Sequence, residues 1–220
     1  MGASLPIFCL GSVLFPGTSV YLHIFEDRYR AMMRHLLDKA DHERVFGIVA
    51  IREGYEVGES AVQSAHRVGC EVLLTHVEEH EDGGYDVQAR AARRVRLDAM
   101  VSSADFMWAQ VEYLPELDGP DAEDAATRAH AVFEAYRALL RTFSLDSTVV
   151  DVPTEPLPLS YALAATAVLT LRDRQDLLEA PDAATRLRQF SRVLVLEMQA
   201  MQAIPSLPAV EVARTSWSPN

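Results

Sequence analysis

The hydrophobic period of the chain changes once, and this change constrains the fold more than any other feature of the sequence. In the first half, short runs of β-branched and aromatic residues are bounded by glycine, proline or acidic residues, which is typical of strands. After residue 123 the apolar residues recur every three to four positions, which is the period of an amphipathic helix. Strands followed by helices, rather than alternating with them, predict an α+β chain.

The first half is predicted to be a β subdomain that contains one helix. The helix is expected over 26–40, where Phe25, Tyr29, Met32 and Leu36 share one face. Glu81–Gly84 has the composition of a hairpin turn. The predicted strands cover 5–10, 19–25, 44–51, 68–79, 85–92, 94–101 and 106–114.

The second half is predicted to be a helical bundle. Its first apolar stripe runs through Ala129, Val132, Tyr136, Leu139 and Phe143, and its last through Leu187, Phe190, Leu194, Met198 and Met201. Between them, 159–171 is apolar on nearly all sides, which indicates a buried helix, and Asp182 is a predicted N-cap. The acidic segment 115–123, with its glycine and proline, marks the boundary. We therefore predict a β subdomain over 1–116, a helical bundle over 117–203 and a tail over 204–220.

Charge and composition exclude several classes of partner. The formal net charge of -12 repels phosphate backbones, so nucleic acid is a poor candidate partner. Cys9 and Cys70 are too few for a disulfide framework or a four-cysteine zinc site, and we expect both to be buried. There is no signal-like run, and the most apolar stretch, 157–171, is shorter than a bilayer span. We expect a cytoplasmic protein without membrane contact.

Several motifs resemble, in order and spacing, the amino-terminal domain of Lon proteases. Leu5–Leu10, the Phe-Pro-Gly turn in Val13–Gly17, and His23–Arg30, with its Ile-Phe-Glu-Asp-Arg-Tyr run, resemble the opening of that domain. Cys9 departs from the pattern, because the family usually has proline there. The segments that resemble later parts of the domain are Phe46–Val49, Val68–Gly69, Ala92–Arg96, Leu159–Leu163, Arg174–Glu179 and Arg186–Leu187.

The resemblance covers residues 4 to 202 and implies both a fold and a function. The implied fold is a PUA-like β pseudo-barrel with an α-helical bundle behind it. The implied function is ATP-independent binding of unfolded polypeptide or of a partner protein, as an adaptor in proteolysis or protein quality control. The chain would be a bacterial-type, free-standing form of the domain, without the ATPase and protease. We favour a homodimer as its oligomeric state.

The residues needed for Lon-type catalysis do not occur in the sequence. A P-loop needs the pattern G-x-x-x-x-G-K-[ST], and these 220 residues do not contain it. A Ser–Lys dyad could use only Lys39, the single lysine, at the end of a predicted exposed helix. We therefore expect no enzymatic activity, no catalytic residue, no cofactor and no metal.

One alternative function is that of a small metal-dependent hydrolase. His76-Val-Glu-Glu-His80 matches the H-x-x-E-H pattern of one group of zinc peptidases. That pattern places both histidines on one face only when it lies on a helix. The flanking residues predict a strand entering a hairpin, where the two histidines would stand about 13 Å apart at ~3.3 Å per residue. A zinc peptidase is therefore not favoured.

Two further sets of residues are candidates for binding. Arg90, Arg93, Arg94 and Arg96 cluster on the predicted returning strand and the turn after it, and PUA folds elsewhere bind RNA, so an RNA-binding protein is a second alternative. The net negative charge, and the alternation of Arg94 and Arg96 with apolar residues, favour a solvated face or a salt-bridge network instead. Phe15, Pro16 and Tyr21 lie on or beside a turn, where exposed apolar side chains would mark a partner site, and burial of these side chains against the sheet is the equally open alternative.

Overall fold

The computed structural model describes residues 3–52, 65–102, 105–143 and 152–203. The chain divides into two compact units, residues 1–115 and 116–220. The boundary predicted from composition, after residue 116, lies one residue later in the chain. Glycines at both ends of 54–58 indicate a loop or short turn there, and this segment and the predicted tail over 204–220 lie outside the described residues.

The first unit is a β pseudo-barrel, as the resemblance implied. Its strands are β1 (Ala3–Leu10), β2 (Ser19–Ile24), β3 (Val45–Ile51), β4 (Ala65–Glu79), β5 (Tyr85–Ser102) and β6 (Met107–Tyr113). They form a six-stranded sheet in the order β2-β5-β4-β3-β1-β6, and β6 also pairs with β5. This second pairing closes all the strands except β2 into a barrel, and β2 extends the sheet from the first part of β5.

Strand β5 was predicted as two strands, and this prediction was wrong. Arg93 pairs with Glu71 and Ala91 pairs with Val72, so Ala92 is an extra residue on β5, a β-bulge, and the strand continues past it. The 18-residue strand pairs with β2 through its first part and with β6 through its second. A bulge bends a strand and increases its twist, which allows one strand to serve both partners.

The barrel is closed around an apolar core, and the one α-helix among the unit's described residues packs on its outside. The helix α1 (Asp27–Leu37) buries Tyr29 against Phe8, with ring centroids 4.1 Å apart, and Tyr29 Oη accepts a hydrogen bond from the Cys9 N–H at 3.2 Å. Both cysteines are free and buried, as predicted. The interior cluster consists of Leu5, Ile7, Cys9, Val49, Ile51, Ala65, Val95, Leu97, Ala109 and Val111.

Helix α1 ends at Leu37, earlier than the predicted end at residue 40. Arg44 explains this end, because its Nε donates to the Lys39 carbonyl at 3.1 Å and its Nη2 to the Leu37 carbonyl at 3.2 Å. Carbonyls at a helix C-terminus lack partners within the helix and attract a cation. A short 3-10 turn, Asp41–Glu43, then leads to β3.

The second unit is a bundle of α2 (Ala122–Thr142), α3 (Pro156–Thr166), α4 (Leu171–Glu179) and α5 (Ala183–Ala203). Helix α3 begins at Pro156 and not after the prolines, because proline in the first turn needs no N–H partner. The predicted helix over 159–171 is interrupted, since α4 starts separately with Thr170 Oγ1 accepting the Asp173 N–H at 3.1 Å. Within the described residues, no helix has the length and apolarity needed to cross a membrane.

Asp182 acts as the N-cap of α5, as predicted: its Oδ1 accepts the Thr185 N–H at 2.7 Å. We expect Asp182→Ala to lower the free energy of unfolding by about 1 kcal/mol, because that N–H loses its acceptor. Urea unfolding followed by circular dichroism measures this change. Asp176→Ala, at an exposed position inside α4, is the matched control and should change stability by less than about 0.5 kcal/mol. Equal losses in both variants would contradict the capping role.

Candidate functional site

Strand β2 is an edge strand that carries exposed aromatic side chains. It is hydrogen-bonded to β5, with Tyr21 opposite Gln88 and His23 opposite Asp86, and among the described residues no other strand pairs with it. Leu22 and Ile24 point into the core. The alternate residues point outward, and Tyr21 is 76% exposed while Phe25, just after the strand, is 55% exposed. We call Tyr21, His23 and Phe25 the aromatic strip.

Neighbouring side chains hold the aromatic strip in place. Gln88 Nε2 donates to Tyr21 Oη at 3.0 Å. His23 Nδ1 lies 2.6 Å from Asp86 Oδ1, and the His23 ring stacks on Phe25 at a centroid distance of 6.1 Å. The strip is therefore a set of exposed rings whose orientations are fixed before any ligand arrives.

The turn before β2 does not provide an exposed apolar surface. Of the two outcomes that the sequence left open for Phe15, exposure and burial against the sheet, the structure shows burial, with 0% of Phe15 exposed, and Pro16 is only partly exposed. Val13 and Phe15 are both buried, with the partly buried Leu14 between them, so alternate side chains of this irregular segment between β1 and β2 point inward. Of the three predicted partner-binding residues, only Tyr21 lies open on the surface.

The arginines of β5 differ from one another in their surroundings. Arg93 Nε donates to Glu71 Oε1 at 2.9 Å and its guanidinium lies 3.7 Å from the Tyr113 ring centre, and Arg96 Nη1 donates to Glu112 Oε2 at 3.0 Å. These contacts agree with the salt-bridge network that the sequence favoured. Arg90 is exposed.

Arg94 is buried, so its predicted place on a solvated face was wrong. Arg94 points to the face opposite that of Val95 and Leu97, which lie in the core, but the chain leaving β6 lies beside Arg94 on that face. The Arg94 carbonyl accepts the Leu114 N–H at 3.1 Å, and Arg94 Nη2 donates to the Pro115 carbonyl at 2.8 Å. Arg94 thus fixes the exit of the chain from the barrel, and it is not available to a ligand on the surface.

Around Glu71, burial and hydrogen bonding shift two ionisation equilibria. Tyr113 Oη donates to Glu71 Oε2 at 2.5 Å. Burial, and then the hydrogen bond to Glu71, raises the pKa of Tyr113. The hydrogen bond to Glu71 also raises the pKa of Arg93, since it stabilises the charged guanidinium. This cluster links β4, β5 and β6 and is a structural tie of the barrel.

The H-x-x-E-H pattern lies on a strand, as predicted, and its histidines have separate surroundings. His76 lies within β4 and stands opposite Gln88 of β5, whereas His80 follows the end of β4. His80 Nε2 lies 3.0 Å from Asp86 Oδ2, whereas His23 Nδ1 contacts the other carboxylate oxygen, Oδ1. One ligand atom from each of His23, His80 and Asp86 lies within 4.8 Å of the others, which is the spacing of groups that could hold a metal ion. No sequence signal identified this trio, because it depends on which residues stand opposite each other across strands.

The two imidazoles also set the charge of the carboxylate between them. His23, and secondarily His80, holds the pKa of Asp86 below its usual range, because both rings stabilise the ionised carboxylate. His80 Nε2 is shielded from solvent, and its contact with Asp86 departs from ideal hydrogen-bond geometry. The trio thus offers two imidazole nitrogens and one carboxylate on the outer face.

Comparison with known proteins identifies the family to which this chain is similar. The chain matches the family model of the ATP-dependent protease La (LON) substrate-binding domain over residues 4–195. It is 25% identical over 193 residues to Lon protease 2 of Syntrophobacter fumaroxidans and to Lon protease of Escherichia coli K12, covering 86% of this chain and 24% of each relative. It is 28% identical over 153 residues to Lon protease 1 of Thermus thermophilus, covering 67% of this chain and 19% of that protein. The chain thus spans about a quarter or less of the length of these curated relatives.

Solved structures agree with the sequence matches. A Lon N-terminal domain protein from Xanthomonas campestris is 25% identical, with a TM-score of 0.58, over 85% of this chain and 96% of that one. The N-terminal domain of the Mycobacterium avium complex Lon protease shares the fold at 20% identity, with a TM-score of 0.64, over 88% of this chain and 98% of that one. The matching model is that of a substrate-binding domain, and not of an ATPase or a protease. The chain belongs to the LON substrate-binding domain family.

Proposed function

We propose that the protein is a non-enzymatic recognition module that binds extended segments of unfolded polypeptide along the free edge of β2. In this proposal it acts as an adaptor in proteolysis or protein quality control. The observation that carries the proposal is the aromatic strip, two strongly exposed rings on an edge strand of a domain whose family is named for substrate binding.

The backbone of β2 supports this mode of binding. An edge strand presents a row of N–H and C=O groups that an added strand can pair with, whatever the sequence of that added strand. In the described residues, the side of β2 away from β5 carries no paired strand. Backbone pairing therefore offers affinity without a strict sequence requirement, which suits a module that must recognise many unfolded chains.

The side chains of the strip support a preference for apolar segments. Tyrosine and phenylalanine bury large areas at a small entropic cost, and they are enriched where proteins bind one another. The hydrogen bond from Gln88 and the stacking of His23 on Phe25 reduce that cost further, since these rings are already ordered.

The surrounding charges indicate which unfolded segments bind best. Asp86 and Glu78 face each other across β5 and β4 beside the strip, and the whole chain carries a net charge of -12. Acidic segments are repelled by such a surface, whereas segments that combine apolar and basic residues are attracted. We therefore expect binding of basic-apolar peptides to weaken as the salt concentration rises.

Fluorescence anisotropy with a labelled, permanently unfolded polypeptide tests the proposal. We expect the double variant Tyr21→Ser/Phe25→Ser to bind at least about tenfold more weakly than the wild-type protein, because truncation of an interface aromatic commonly costs more than about 1.4 kcal/mol. The matched control is Leu196→Ser, which removes an exposed apolar side chain from the helical unit. Circular dichroism verifies that each variant is folded.

Two results would contradict the proposal. One is the absence of binding by the wild-type protein to the unfolded polypeptide at low salt. The other is an equal loss of affinity in the Leu196→Ser control, which would place the binding surface elsewhere or make it non-specific.

A further inference from the structure

We propose that His23, His80 and Asp86 form a binding site for a divalent transition metal ion of the zinc class, on the outer face of the barrel. This inference does not rest on polypeptide binding, although the two proposals share His23 and Asp86. It also differs from the H-x-x-E-H reading of the sequence, because it uses only one histidine of that pattern and takes its other two ligands from other strands.

The topology of the sheet brings the three side chains together. His23 on β2 stands directly opposite Asp86 on β5, and Asp86 stands opposite Glu78 on β4. His80, two residues after Glu78, returns to the same outer face at the start of the hairpin, where its N–H donates to the Gly84 carbonyl at 2.9 Å. Asp86 therefore lies between two imidazoles that come from opposite sides.

The distances are close to those of a metal site before the ion enters. His23 Nδ1 is 2.6 Å from Asp86 Oδ1, and His80 Nε2 is 3.0 Å from Asp86 Oδ2. In a tetrahedral zinc site, metal–ligand bonds of about 2.0–2.1 Å place the ligand atoms about 3.3 Å apart. Small side-chain rotations, without movement of the strands, would open the observed contacts to that spacing.

The chemistry of the three ligands selects the class of ion. Two imidazole nitrogens and one carboxylate oxygen suit zinc and its neighbours in the first transition row, whereas calcium and magnesium prefer oxygen ligands alone. Asp86 has a lowered pKa, so the carboxylate is already ionised. His23 is partly oriented by its stacking on Phe25, and the His23 and His80 ring centroids lie 5.9 Å apart.

The two histidines differ in what an ion would replace. His23 Nδ1 is hydrogen-bonded to Asp86, so the ion replaces a proton there. His80 Nε2 is shielded from solvent and faces the carboxylate without a hydrogen bond of good geometry, so the ion would give this nitrogen a partner. Solvent completes the coordination, since His23 and Asp86 are exposed on their outer sides.

Isothermal titration of the full chain with Zn²⁺, on protein purified without a polyhistidine tag, tests the site. We expect one ion to bind per chain at pH 7.5. We expect His80→Ala and Asp86→Asn each to weaken binding by at least about tenfold, because each removes one of three protein ligands. His76→Ala, which removes a histidine from the same strand but outside the trio, should leave the affinity unchanged.

The proposal is overturned if the wild-type protein does not bind Zn²⁺, or if binding survives His80→Ala and Asp86→Asn, or if His76→Ala weakens it equally. None of these outcomes bears on the affinity for unfolded polypeptide, which is measured in the presence of a chelator.

Discussion

Gly69→Ala is expected to destabilise the barrel by at least about 2 kcal/mol, because overpacking against a rigid backbone is costly. Gly69 lies on β4 opposite Val49 on β3. An added Cβ would stand 2.1 Å from the Ile48 carbonyl oxygen and 2.8 Å from Val49 Cγ1. The carbonyl belongs to the backbone of β3, so it cannot move away without disturbing the β3–β4 pairing.

Gly47→Ala is the matched control for this prediction. Gly47 lies in β3, the partner strand of β4. Its added Cβ would meet Ile7 Cδ1 at 2.7 Å, which is the end of a flexible side chain. Rotation of that side chain relieves the contact, so we expect a loss below about 1.5 kcal/mol. Urea unfolding of both variants measures the difference. If Gly69→Ala is as stable as Gly47→Ala, the close approach of β3 and β4 is not rigid.

The second large effect is expected at Arg186, which is 0% exposed inside the helical unit. Its Nε donates to the Leu177 carbonyl at 2.9 Å, its Nη1 to Ser160 Oγ at 2.9 Å and its Nη2 to the Ala180 carbonyl at 3.3 Å. The guanidinium also lies 4.1 Å from the centre of the Tyr161 ring. One side chain thus joins α5 to α3 and to the end of α4.

We expect Arg186→Met to lower the free energy of unfolding by about 3 kcal/mol, since it removes the three hydrogen bonds that the guanidinium donates inside the unit. Methionine has a similar length and fills much of the volume, so the loss reports mainly on the polar contacts. Arg192→Met, at an exposed position on the same helix, is the control and should change stability by less than about 0.5 kcal/mol. If Arg186→Met lowers the free energy of unfolding by no more than that control does, the buried hydrogen bonds contribute little to stability.

The sequence predicted the fold through two signals that do not depend on long-range geometry. Alternation and turn residues located most of the strands, and the helical period located α1, α2 and α5. The Asp182 cap was readable because a capping residue acts only on its own helix. The motifs that resemble Lon then implied the pseudo-barrel architecture, which local patterns do not contain, and the family and the fold were confirmed.

What local patterns did not predict depends on contacts between distant parts of the chain. Arg94 alternates as a surface residue should, but the strand exit at Pro115 covers it. Phe15 belongs to a turn motif, yet its ring enters the core. The trio of His23, His80 and Asp86 needs the cross-strand register of β2, β5 and β4, and register is set by the hairpin and by bulges such as that at Ala92.

The most direct test of the proposed function is amide hydrogen exchange, measured on the free protein and on its complex with a basic-apolar unfolded polypeptide. Backbone pairing along a free edge predicts that residues 19–25 gain protection in the complex, because their outward N–H groups become hydrogen-bonded. Protection confined to the helical unit, for example around Val195 and Leu196, where exposed apolar side chains also occur, would contradict the account, as would unchanged exchange throughout β2.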